Sequence, residues 1–99
     1  MNKCKSAAII NLLSKKWNLL ILKKLNDEKK VRFKDFINAG INPRILSARL
    51  KELESAKIIS KKRFNTLPPK TEYKLTPAGE ELVLCFKKLD SWIDKWKVL

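Results

Sequence analysis

The segment NPRILSARLKELES, Asn42 to Ser55, joins side chains able to do chemistry to a regular spacing. Drawn as a helix at about 100° per residue, Leu46, Leu50 and Leu53 cluster on one side and ask for burial. Arg44, Ser47, Ala48, Lys51 and Ser55 cluster opposite, a face of small residues with two cations at its rim and no acid. A guanidinium is a planar fork of donors, an ammonium is a point charge and a hydroxyl both donates and accepts. Small residues beside them let a helix approach a groove floor. Arg44 is suited to guanine O6 and N7 or to a phosphate, Ser47 to base or backbone, and Lys51 to flanking phosphates. A merely solvated face would mix charge signs. Arg49 differs, because the same wheel turns it toward the apolar side between Ile45 and Leu53. Its stem is expected to pack and its head to pair with a carboxylate or phosphate.

Other cations extend the surface. Lys61, Lys62, Arg63 and Lys70 stand against Glu72, and Lys30, Arg32 and Lys34 precede or open another short helical segment. The chain has 23 Lys+Arg against 10 Asp+Glu, a net charge of +13, which draws polyanions. Abundant surface lysine alone would also raise the charge; its clustering favours nucleic acid. The same composition argues against an enzyme: there is no histidine, the two glycines are isolated, and no carboxylate pair sits in an apolar setting. Cys4 and Cys85 form neither a Cys-x-x-Cys pair nor a metal-ligand set, so neither metal nor cofactor is expected. The run SAAIINLL is interrupted by Asn11 and followed by no small-residue cleavage site, and WNLLIL is far too short to span a bilayer. A soluble, cytoplasmic protein with no membrane partner is expected.

The elements that must hold these residues can be read in order. Ser6 to Leu13 is a short helix apolar on more than one side, and Ser14 is expected to cap a core helix from about Lys15 to Leu25. NDEKK (Asn26 to Lys30) reads as a polar turn. Phe33, Phe36 and Ile37 then mark a short helix ending at Gly40, after which Asn42 caps a new helix with Pro43 in its first turn. Two short helices joined by a glycine-containing turn outline a helix-turn-helix at about 33–56. Lys57 stands where Gly would usually end the second helix, and a positive φ there would cost roughly 1 kcal/mol relative to Gly. IISKKRFN and TEYKLT read as a two-stranded hairpin at about 58–75, with prolines in its loop. Thr76 caps a last helix at about 77–97, on which Leu82, Cys85, Leu89, Trp92, Trp96 and Leu99 are spaced alternately three and four apart, with Cys85 expected to be buried. The expected fold is mostly α with a small β-hairpin (α+β), a single winged helix-turn-helix domain over 1–99.

At KWNLLIL, RFKDF, GINPRILSARLKELE, PPKTEYKLTPAGEEL and LDSWIDKW, taken in that order, the chain resembles HxlR-type transcriptional regulators of the MarR-like class. Lys15 and Lys57 depart from the glycines that family tends to have before the Lys-Trp pair and after the recognition helix. Cys4 matches its near-N-terminal cysteine, although Lys5 follows where proline often stands. The resemblance implies a homodimer on operator DNA and makes Cys4, set between Lys3 and Lys5, a redox candidate, since some relatives sense oxidants through such a cysteine. The expected DNA-binding residues are Asn42, Arg44, Ser47, Ala48 and Lys51, with Lys34, Lys61, Lys62, Arg63 and Lys70. The expected dimer interface is Ile9, Leu13, Leu89, Trp92 and Trp96, two terminal helices whose exposed tryptophans would suit no monomer. A small-molecule or oxidant effector is left open. The rival reading is an architectural DNA- or RNA-binding protein using the same charge without sequence preference.

Overall fold

The computed structural model describes residues 5–99. The elements are α1 (Lys5–Leu13), α2 (Asn18–Glu28), β1 (Val31–Arg32), α3 (Phe33–Asn38), α4 (Pro43–Ser55), β2 (Ile59–Phe64), β3 (Lys70–Leu75) and α5 (Pro77–Trp96). The strands form an antiparallel sheet in the order β1-β3-β2. Helices cover one face of it, which places the architecture among winged helices.

The two capped helices begin as their sequences dictate. Asn42 Oδ1 accepts the Arg44 and Ile45 N–H groups at 2.9 and 3.3 Å, and Pro43 occupies the first turn of α4. Gly40 turns the chain between α3 and α4 at φ 101°. At the far end of α4, Lys57 N–H donates to Glu54 O and Ile58 N–H to Leu53 O, and Lys57 takes the left-handed φ of 63°. Thr76 Oγ1 accepts the Gly79 N–H at 3.0 Å and itself donates to Lys57 O at 2.7 Å, fastening the start of α5 to the end of α4. A Cβ on Gly79 would stand 2.1 Å from the Ile58 carbonyl oxygen, so only glycine fits this crossing.

The core is one cluster. Ile21, Leu22 and Leu25 from α2, Phe36 from α3, Leu46, Leu50 and Leu53 from α4, Ile59 and Tyr73 from the sheet and Val83 from α5 are all buried in it. Phe36 meets Tyr73 edge to face at 6.4 Å. Leu12, Leu13, Trp17, Leu82 and Phe86 pack around it.

Several expectations are corrected. Ser14 caps nothing: its hydroxyl donates to Asn11 O, and the chain turns through residues 14–17 so that the second helix begins at Asn18, preceded by Trp17 at φ 81°. The left-handed position in this turn is Trp17, and Lys15 keeps a negative φ. Asn18 is fully buried and its Nδ2 donates to Leu12 O at 2.7 Å, holding the end of α1. That helix also runs past Leu25 to Glu28, where the pairs Lys23–Asp27 and Lys24–Glu28 stabilise a turn expected to be loop. Leu19 and Leu20, apolar residues of the expected core helix, are exposed. The hairpin has a third strand, since Val31 and Arg32 pair with Tyr73 and Glu72. Cys85 is exposed in the single chain, because the residues of α5 facing the core are Gly79, Leu82, Val83 and Phe86.

The left-handed backbone at Lys57 generates a stability prediction. Lys57→Gly relieves the strain and raises stability by about 1 kcal/mol, or roughly 4–8 °C in thermal melting of a domain of this size. An unchanged or lowered Tm refutes strain at this position.

A candidate nucleic-acid interface on the fourth helix and the wing

The exposed face of α4 is built by burying the rest of that helix. With Leu46, Leu50 and Leu53 fixed in the core, Arg44, Ser47, Ala48 and Lys51 are all exposed, beside the equally exposed cap Asn42. The two acids of α4, Glu52 and Glu54, lie on its two flanks. Glu52 Oε2 accepts from Lys15 Nζ at 2.8 Å and its Oε1 from Arg49 Nη1 at 3.2 Å. Glu54 lies 3.8 Å from Lys61 Nζ on β2. Each carboxylate is therefore neutralised by a neighbouring element, and the outward face is left entirely to cations, a hydroxyl and a methyl group.

Arg49 has the packed stem and paired head expected of it: its side chain is 22% exposed, and besides Glu52 its Nε donates to Lys16 O at 3.1 Å. The hydrogen bond from Lys15, outweighing partial desolvation, holds the Glu52 carboxyl below the usual carboxylate range. It is ionised at neutral pH. Lys15 is the residue of this cluster that sequence reasoning missed, for no local pattern relates it to a glutamate 37 positions away.

The wing cations divide between the faces of the sheet. Lys61 pairs with Tyr73 and Arg63 with Thr71, so both lie on the side of the core and α4. Lys62 pairs with Glu72 and Phe64 with Lys70 on the outer side, where the Lys62 and Lys70 ammoniums stand 5.1 and 4.9 Å from the Phe64 ring centroid. Lys34, at the start of α3, lines one cleft with Arg32, Lys70 and Thr71. The ten expected contacts thus fall into the α4 face with its cap, the cleft of Lys34 and Lys70, and the two sides of β2. Lys30 and Lys74, absent from that set, line a shallow cavity of about 110 Å³ with Lys62 and Phe64 on the outer sheet face. The alternation of buried Tyr73 with exposed Lys74 was the available signal.

The residues expected at a dimer interface fall into two groups. Ile9 and Leu13 are partly buried against the chain's own core, and the apolar residue α1 leaves outward is Ile10, 59% exposed. Leu89, Trp92 and Trp96 are 57%, 52% and 63% exposed on one stripe of α5, beyond the part that covers the core. Cys4 lies outside the described residues. Among the described residues, no cluster of three or more His, Cys, Asp or Glu is arranged to hold a metal, and no helix is long and apolar enough to cross a membrane.

Comparison with known proteins agrees with this geometry. The family model for HxlR-like helix-turn-helix proteins matches residues 12–98. The HTH-type transcriptional regulator YodB of Bacillus subtilis is 35% identical over 94 residues, covering 93% of this chain and 83% of YodB. Its solved reduced form superimposes with a TM-score of 0.80 at 34% identity, covering 96% of this chain and 94% of that one. The reduced form of the redox regulator HypR gives a TM-score of 0.80 at 27% identity, with 96% and 95% coverage.

Proposed function

Since the chain belongs to the HxlR-like helix-turn-helix family and is a transcriptional regulator rather than an enzyme, we propose that it acts in the cytoplasm as a homodimer, reading a pseudo-palindromic operator in duplex DNA. The observation that carries this reading is the acid-free outward face of α4, whose two carboxylates are both held on its flanks by cations of other elements. Residues 1–99 serve as one DNA-binding unit. Asn42, Arg44, Ser47, Ala48 and Lys51 enter the major groove, where Arg44 and Ser47 meet base edges and Lys51 a phosphate. Lys34 and Lys70 hold the backbone from their shared cleft, and Lys61, Lys62 and Arg63 lay the wing along the adjacent backbone or minor groove.

The exposed stripe of Leu89, Trp92 and Trp96, joined by Ile10 and by Ile9 and Leu13 at the edge of the core, supports an isologous two-fold interface. Two copies of α4 about 34 Å apart then face successive major grooves. Cys4 is the proposed redox sensor. Its setting between two lysines favours the thiolate, and two similar proteins are described respectively as a redox regulator and as a regulator solved in reduced and diamide-treated forms.

Selection from a random duplex library at about 0.15 M salt, where non-specific binding is weak, is expected to recover an inverted repeat with half-sites one helical turn apart, and sedimentation at micromolar concentration to give about twice the chain mass. Binding without enrichment instead supports the architectural reading, and a monomer mass ends the dimer. On the selected duplex, Arg44→Ala erases the preference at one base position at a loss of about 1–3 kcal/mol, whereas Lys62→Ala weakens every duplex alike and lowers the salt slope by about one. Equal loss of specificity from both substitutions refutes that division. Diamide is expected to weaken operator binding by the wild type and to leave Cys4→Ser unaffected; a wild type indifferent to diamide retires the sensor.

A further inference from the structure

The two flanks of α4 are held unequally. On the wing side one ion pair among the described residues, Glu54 to Lys61, spans 3.8 Å. On the other side three shorter contacts meet. Lys15 Nζ reaches Glu52 Oε2 at 2.8 Å, Arg49 Nη1 reaches Glu52 Oε1 at 3.2 Å, and Arg49 Nε reaches the Lys16 carbonyl oxygen at 3.1 Å. Each oxygen of Glu52 has its own cation, and Arg49 bridges that carboxylate to the backbone of the turn that bears Lys15.

This turn is itself stiffly built. Ser14 N–H donates to Ile10 O and Lys15 N–H to Leu12 O, Asn18 Nδ2 takes the same Leu12 carbonyl, and Trp17 stands at φ 81° with the Lys16 ammonium 5.2 Å from its ring centroid. A change in the direction of α1 is therefore carried to residues 15 and 16. Those residues grip α4 on a side that faces neither the core leucines nor the outward face of Arg44, Ser47, Ala48 and Lys51.

We propose that Lys15, Arg49 and Glu52 are positioning residues for operator reading, a clamp through which the turn after the first helix sets the angle at which α4 presents Arg44 and Ser47. The clamp touches no DNA. It rests on the operator-binding reading above and adds to it the route by which the N-terminal arm governs specificity. Half an ångström at the flank of a rigid helix moves its outward face by a comparable distance, enough to spoil a bidentate contact while leaving simple phosphate attraction intact.

The sign of one charge change separates this role from plain electrostatics. Glu52→Gln removes a negative charge, so attraction alone makes it bind every duplex more tightly. Full-length wild type, Glu52→Gln, Lys15→Met, the double variant and Lys15→Arg are titrated at equal salt on the selected operator duplex and on a scrambled duplex of the same length, with thermal melts alongside. The clamp predicts that Glu52→Gln loses about tenfold on the operator while binding the scrambled duplex as well as wild type or better. Lys15→Met loses a similar factor in the ratio of the two affinities, the double variant loses no more in that ratio than either single, and Lys15→Arg keeps it within about twofold. Operator binding by Glu52→Gln equal to or tighter than wild type overturns the clamp, as do equal losses on both duplexes or losses that multiply in the double variant. Lys15→Met removes one contact of the three, so it tests the same ratio should Glu52→Gln melt below the assay temperature. A wild-type chain that does not distinguish the duplexes overturns the operator reading itself, and the clamp with it.

Discussion

Much of this structure is tied to the backbone of one residue, Ile58. Its N–H closes the end of α4 on Leu53 O, and its carbonyl accepts the Thr76 N–H at 3.0 Å where β3 gives way to α5. Gly79 passes so close to that oxygen that no side chain fits between. The end of α4, the first residues of β2 and the start of α5 are thus fixed to one point, and the left-handed Lys57 is the local strain accepted to bring them there. Because the leucines of α4 are buried against the elements that meet at this point, its outward face is defined by what cannot turn inward.

Charge placement completes that definition. A chain of net charge +13 repels itself when folded, so each of its few carboxylates counts. Glu52 and Glu54 sit where they neutralise cations of the turn after α1 and of β2, stitching α4 to its neighbours without placing a negative charge beside Arg44 or Lys51. Exposed ion pairs add little to stability singly. Their placement is geometric: they join the flanks of a helix whose rotation the buried leucines already set.

How much of this was legible in the sequence depended on how local each determinant is. Asn42-Pro43 and Thr76-Pro77 announce two helix starts because a cap and a first-turn proline act within four residues, and the leucine spacing of α4 gave its outward face directly. Lys57 could be marked as the place where a helix end usually takes Gly, but its left-handed φ of 63° only the fold decides. By contrast β1, two residues long, has no periodicity to detect and exists only because β3 offers an edge. Trp17 at positive φ, half-buried beside the fully buried Asn18, contradicts the local preference of a bulky residue, so the second helix could not be started correctly from local signals. The regular stripe on α5 was seen but assigned wrongly at Cys85, since periodicity says that residues share a side and not what covers it.

That distinction bears on assembly. A 99-residue chain buries only about 60–70% of its unfolded surface, and here α5 leaves the core after Phe86 with ten further residues still helical. Among the described residues, Ile93 alone of that extension is half-buried, while Leu89, Trp92 and Trp96 are exposed, an apolar stripe of the kind that marks an interaction surface. The first helix stands in both regions, with Ile9 and Leu13 against the core and Ile10 outward, and the turn at its end grips α4 through Lys15. The helix that carries Ile10 is therefore attached, through the turn after it, to the flank of α4. The exposed apolar residue of α1 and the acid-free face of α4 are joined in this fold by direct contact, through one helix and the turn that follows it.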